Sequence, residues 1–153
     1  MMYTIETAPS RERAQLVFQR LRAHDDQQYA GIAAPHQARQ YFLLNQQQEV
    51  LGGLLGYHYW DALHIQTLWI SEEIRRCGHG TALLAAAEDA ARKANCNRAL
   101  VQTTDFNAPG FYSRQGYQLA GKIEGWPANS NYYYLTKPLL LRGKKTTFSP
   151  PLP

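Results

Sequence analysis

The chain has 153 residues, 44% of them hydrophobic, and a formal net charge of +4. That is enough for one domain with its own core but hardly for two, and the composition is globular rather than disordered. No apolar run approaches the roughly 20 residues of a membrane span, Met1 to Ala8 carries no secretory apolar region, and two cysteines, Cys77 and Cys96, make no disulfide framework, so a soluble cytoplasmic protein with free thiols is expected. The positive charge fits either nucleic acid or a polyanionic small ligand. Basic residues are scattered outside Arg75-Arg76 and the tail from Arg142 to Lys145, without the aromatic-interleaved stripe of a nucleic-acid surface, which disfavours the first.

In chain order, Tyr3 to Thr7 alternates and reads as a first strand. Ser10 caps a helix whose apolar positions Ala14, Val17, Phe18 and Leu21 form one face, expected to be buried. His24 to Pro35 is less regular, and Asp25-Asp26 either caps a short second helix or sits in water. Arg39 to Leu44, Glu49 to Trp60 and Leu63 to Ile70 read as strands joined by polar turns. Gly52, Gly53 and Gly56 mark a bulge or a close approach in the middle one. A helix follows, with an apolar stripe of Leu83, Leu84, Ala87, Ala90, Ala91 and Ala94. Glu88 with Arg92 and Asp89 with Lys93 are read as i,i+4 pairs on its solvated outer face. Arg98 to Thr104 is a strand parallel to the one before the helix, because a strand-helix-strand unit crosses over right-handedly. Ala108 to Gln115 reads as a short helix ended by Gly116, and Tyr117 to Ile123 and Asn131 to Lys137 as the last strands. Residues 1 to 137 form one domain and 138 to 153 an extension, expected to pack on its own domain or on a second subunit.

The stretch that carries chemistry runs from Leu68 to Leu84. A strand ends, Gly78 and Gly80 bracket His79, and a helix begins. Glycines bare the backbone where a turn is tight or a ligand approaches. The helix start offers free amides and the positive end of its dipole, which together suit a phosphate. Arg75 and Arg76 add fixed charge. The alternative is a plain tight strand-to-helix connection. No Gly-Lys-Ser/Thr follows, and Leu83 stands where a dinucleotide fingerprint has its third glycine, so neither of those phosphate loops is present.

Arg75-Arg76-Cys77-Gly78-His79-Gly80 resembles the Arg/Gln-x-x-Gly-x-Gly/Ala signature of the GNAT acyltransferase superfamily. Ala108-Pro109-Gly110-Phe111-Tyr112-Ser113-Arg114-Gln115-Gly116-Tyr117 is similar to its second signature, Ala-x-x-Phe-Tyr-x-x-x-Gly-Phe/Tyr, at the family's separation. The resemblance implies a mixed α/β fold: six or seven strands in a twisted mixed sheet, helices on both faces, and fourth and fifth strands splayed around acetyl-CoA. It implies that Arg75, Arg76, Cys77, Gly78, His79, Gly80 and Thr81 surround the pyrophosphate, and that Leu68, Trp69 and Ile70 run along the pantetheine arm. It also implies N-acetyl transfer by direct attack of a neutral amine, with an amide near Ile70 facing the oxyanion and Tyr112 protonating the leaving thiolate. The alternative for Tyr112 is a buried aromatic on a short helix. The family's asparagine position is Asp105 here. Asn107, shifted by two, either reaches the cofactor or caps the helix, while Asp105 is expected to point elsewhere or meet a donor.

The family's glutamate base is absent. His64 is the candidate base, its alternative being a structural strand histidine, and water can serve instead. Cys77 is read as a bystander to the chemistry. Tyr29, Tyr57, Tyr59, Trp60, Trp126 and Tyr132 to Tyr134 supply aromatics for core, acceptor cleft or a homodimer interface. The expected acceptor is the primary amine of a small molecule or peptide, with no membrane partner and no metal. A non-catalytic CoA-binding regulatory module is the rival reading.

Overall fold

The structure is a computed structural model that describes residues 2–28 and 36–139. The chain divides into two compact units, 1–33 and 34–153.

In the first unit the helix α1 (Arg11–Gln28) begins where Ser10 stops the chain: the Arg13 amide donates to Ser10 Oγ at 3.3 Å and the Ala14 amide to the Ser10 carbonyl at 3.0 Å. Arg13 also pairs with Glu6. The expected strand at Tyr3 to Thr7 is not formed: the chain there is irregular up to the start of α1. α1 also runs on through Asp25 and Asp26, so no second helix begins there. Taken by itself, this unit buries none of the α1 residues, the expected face of Val17, Phe18 and Leu21 included, because it is too small to cover it. Tyr29 and Pro35 lie outside the described residues, as does the tail from residue 140.

The second unit is a six-stranded mixed sheet: β1 (Gln37–Leu44), β2 (Val50–Tyr59), β3 (Ala62–Ile70), β4 (Arg98–Thr104), β5 (Gln118–Glu124) and β6 (Asn131–Pro138), ordered β1-β2-β3-β4-β6-β5. The β1–β2 hairpin is closed by Asn45, whose Oδ1 accepts from the Gln47 and Glu49 amides at 2.9 Å each. β3 and β4 are parallel and joined by α2 (His79–Lys93), as the crossover rule requires; the other neighbours are antiparallel.

Where β3 and β4 part is the feature that matters. They pair from Ala62↔Arg98 to Ile65↔Val101 and no further, although β3 continues to Ile70 and β4 to Thr104. On the other side of β3, Leu55 opposes Thr67 while Gly56 opposes Ile65, so Gln66 is an extra residue. A bulge bends the strand that carries it, and β3 turns away from β4 just there. Gly56 permits it: a Cβ at that position would lie 2.4 Å from the His64 carbonyl oxygen.

α2 covers one face of the sheet. Leu83, Leu84, Ala87 and Ala91 pack against Leu54, Leu63, Ile65 and Val101, and the alanines allow the close approach. Ala90 is only half-buried and Ala94 exposed. Glu88, expected on the solvated face, is buried instead. Its carboxylate accepts from Lys137 Nζ at 2.7 Å, Tyr117 Oη at 3.1 Å and Arg92 at 3.4 Å. A lone buried carboxylate would be costly. These donors, two of them from beyond the helix, make the position tenable. Asp89 pairs with Arg92 rather than with Lys93. Leu139, just past β6, is also buried, and its amide donates to the Asn97 carbonyl at 2.7 Å, so packing continues beyond residue 137.

Candidate active site

The second signature forms α3 (Pro109–Arg114), and its spacing has a local explanation. Gly116 adopts φ +90°, the Tyr117 amide donates to the Tyr112 carbonyl at 3.0 Å, and the Gly116 amide to the Ser113 carbonyl at 3.1 Å. This is a Schellman closure, which brings the residue after the glycine against the one five positions earlier. The Tyr112 and Tyr117 rings accordingly meet edge to face at 5.5 Å. The motif thus locks Tyr112 in place within a helix of only six residues.

The first signature starts α2. Gly78 is its N-cap at φ +84°, where a side chain would be strained, and no side chain caps the helix. The first helical bond runs from the Ala82 amide to the Gly78 carbonyl at 3.0 Å, which leaves the amides of His79, Gly80 and Thr81 to an external acceptor. A Cβ on Gly80 would meet only the Phe111 ring, at 3.5 Å, and Ile70, so packing alone does not demand glycine there. Thr81 Oγ1 accepts from Gln115 Nε2 at 3.2 Å, tying the end of α3 to the start of α2. Arg75 Nε donates to the Ile70 carbonyl at 3.0 Å and holds the loop against the end of β3.

Three cavities meet around the parting strands. The first, about 420 Å³, is floored by the bared start of α2. Leu68 and Ile70 of β3 line it, with Arg75, Arg76 and Gly78 from the loop. His79, Gly80 and Thr81 join them, as do Asn107 and Tyr112. The second, about 560 Å³, lies in the wedge itself; it takes in Trp69 and shares Leu68, Ile70, Asn107 and Tyr112 with the first. Among the predicted cofactor residues Cys77 alone lines neither; it is exposed, with its thiol on the Arg75 carbonyl. The third cavity, about 600 Å³, holds His64 with Tyr57, Tyr132 and Tyr134, and shares Gln66, Val101 and Gln102 with the second.

Tyr112 and His64 therefore stand in different cavities that adjoin through the wedge. Burial pushes the Tyr112 phenol up to about 12. Burial, and next the nearby His36, hold the His64 imidazole below its ordinary value. Asn107 does not cap α3: the N-cap is Ala108, with no side-chain bond. The Asn107 main chain is fastened to β4 by Thr103 Oγ1, which donates to its carbonyl at 2.8 Å, and its residue lines the first two cavities. Asp105 meets donors, as expected of a carboxylate there. Its Oδ1 accepts from the Tyr133 hydroxyl, and its Oδ2 from the Asn131 amide at 2.8 Å and from Ser130 Oγ. The Tyr133 bond leads in holding its carboxyl below the ordinary range. Sequence reading missed Phe111, Arg114 and Gln115 as lining residues; their place in the second signature was the available signal. Gly56, read as marking a bulge or a close approach, does lie at one, but that the extra residue is Gln66 on the neighbouring strand was not read. No group of three or more potential metal ligands occurs among the described residues.

A sheet that opens beside an uncapped helix start, with a buried phenol at the junction, is the layout of an acyl-CoA-dependent transferase. The Acetyltransferase (GNAT) family model matches residues 2–117. The blasticidin-S acetyltransferase of Streptomyces morookaense is 38% identical over 108 residues, 70% of this chain and 79% of that protein. An acetyltransferase of Agrobacterium fabrum is 32% identical over 93 residues, 61% and 68% of the two chains. The crystal structure of an acetyltransferase from Bacillus cereus superposes with a TM-score of 0.82 at 25% identity, covering 89% of this chain and 98% of that one. The chain belongs to the GNAT acetyltransferase family.

Proposed function

We propose that this enzyme uses acetyl-CoA as cosubstrate to N-acetylate the primary amine of a small molecule, by direct transfer. The observation that carries the reading is the uncapped, glycine-bared start of α2, which opens on a cavity continuous with the wedge where Tyr112 stands. The donor set fits a diphosphate: three free amides, the positive end of the α2 dipole and the guanidinium groups of Arg75 and Arg76. Leu68, Trp69 and Ile70, on the stretch of β3 that β4 no longer pairs, have main chain to offer an extended amide-bearing arm. Asn107 lines the same space.

When bound, acetyl-CoA supplies an activated acyl carbon and a sulfur leaving group. Tyr112 keeps its proton at Oη across the physiological range, because burial raises the phenol, and since it lines the wedge it is the residue that would give that proton to the departing sulfur. His64, kept neutral, has a free lone pair for the proton of the incoming amine, taken directly or through water. The small-molecule acceptor is supported by the name of the Streptomyces relative, an enzyme of blasticidin S. Residues 1–137 are proposed as the catalytic part and 138–153 as an extension. The test is an amine panel with acetyl-CoA, read by release of free thiol. Release that needs both an amine and Tyr112 is expected; acetyl-CoA binding without release from any amine would instead make the chain a CoA-binding module.

A further inference from the structure

On the face of the sheet away from α2, His64 opposes Tyr57 on β2 and Leu100 on β4. The Tyr57 and His64 rings lie 4.7 Å apart at an interplanar angle of 4°. That equals one strand-to-strand step of ~4.8 Å, so the rings stand upright above neighbouring strands, face to face. His36 adds a layer beyond Tyr57, at 4.3 Å and 22°. The stack stops at His64, because the next position in the row is aliphatic Leu100. On β6, beyond β4, Tyr132 and Tyr134 meet edge to face at 5.5 Å, opposite Thr104 and Gln102 and so further along β4 than Leu100. The third cavity lies between these two walls. Leu100 lines this cavity as well, and the cavity's volume of about 600 Å³ is several times the ~150 Å³ that suffices to hold a benzene ring. A ring fits.

The chemistry of the slot is neutral. No charged side chain lines it among the described residues; its amides are Gln66 and Gln102. Gln102 Oε1 already accepts from the Tyr132 hydroxyl at 2.7 Å, so its NH₂ remains to donate. Burial keeps the His64 end of the stack uncharged at neutral pH.

Resting on the acetyl-transfer reading, we infer that this slot seats a neutral planar ring of the acceptor as the next layer on His64, so that the acceptor class is a small ring-bearing amine rather than a polycation or a purely aliphatic amine. A ring held here directs a pendant amine through the shared residues Gln66 and Gln102 into the wedge that holds Tyr112.

The test compares 2-phenylethylamine with 2-cyclohexylethylamine, equal in arm and similar in bulk but unequal in flatness, with spermidine as the polycation. KM is read by thiol release. Binding to the protein without acetyl-CoA is read separately by ligand-detected NMR. A stacking preference predicts a phenyl KM lower by about three- to tenfold. His64→Phe keeps the phenyl-to-cyclohexyl KM ratio even if turnover falls, and His64→Leu brings that ratio to about one whatever happens to turnover. Equal KM values, a preference surviving in His64→Leu, or spermidine as the best acceptor would each overturn the inference. If no amine releases thiol, the acetyl-transfer reading fails and NMR alone decides this one: phenyl-selective binding lost in His64→Leu upholds it, and unselective or absent binding overturns it.

Discussion

Replacing Tyr112 with phenylalanine removes one oxygen and nothing else on which the fold depends. The ring is held by its edge-to-face contacts with Phe111 at 5.2 Å and Tyr117 at 5.5 Å, and the Schellman closure behind it is main chain. All of these survive in phenylalanine. The hydroxyl bonds to no protein group among the described residues, so its loss orphans no partner, and stability should stay within about 0.5 kcal/mol of the wild type. The catalytic cost is of another size. A positioned general acid contributes about 10²- to 10⁴-fold, and if the phenol acts as the proposed acid, the loss belongs in kcat with acetyl-CoA affinity nearly unchanged. Single-turnover thiol release, beside a calorimetric Kd for acetyl-CoA and a urea titration, separates the three quantities. Because the phenol titrates only near 12, the wild-type rate should show no alkaline limb from Tyr112 below about pH 10. A Tyr112→Phe enzyme turning over within about threefold of wild type would remove Tyr112 as the acid.

Gly80→Val should fold, since its Cβ meets only ordinary contact at 3.5 Å, but its methyls enter the first cavity. Loss of two charge-assisted amide bonds predicts acetyl-CoA affinity down about 10²- to 10³-fold by calorimetry; retained affinity would refute the diphosphate site. Glu88→Ala leaves Lys137 without its carboxylate, so a double-mutant cycle with Lys137→Met, followed by urea unfolding, should give a coupling of about 1–3 kcal/mol. Additive losses would mean that the pair is idle. His58 is buried with both ring nitrogens unbonded among the described residues, so His58→Leu should stabilise by about 1 kcal/mol. Burial first, and Arg39 second, lower its folded-state value below the ordinary 6.5. The unfolded chain therefore binds the extra proton, and stability should fall as pH drops below about 6.5, with a shallower slope in His58→Leu. An identical slope in both proteins would contradict this.

Much of the site was legible along the chain because its signals are local. Gly78 reads as a backbone that cannot carry a side chain, and φ +84° is the reason. The Phe-Tyr-x-x-x-Gly-Tyr run reads as one object because a Schellman turn couples positions five apart. The strand at Arg98 to Thr104 reads correctly to the residue, being a short apolar run between a helix stop and a polar turn. Tyr3 to Thr7 misleads for the opposite reason: alternation shows a strand's preference, not its partner.

What folding alone decided is what comes from afar. Glu88 has the spacing of a surface ion pair with Arg92, and only the arrival of Tyr117 and Lys137, 29 and 49 residues later, makes it an interior carboxylate. The wedge depends on one extra residue at Gln66, a question of register that composition does not express. The third cavity draws its walls from β2, β3, β4 and β6, which share one face of the sheet only because α2 carries the chain over between β3 and β4 and β6 returns beside β4. Periodicity and turn chemistry act over a few residues, so they are written in the chain. Burial and the meeting of side chains act across the sheet, and exist only once the strands have found their order.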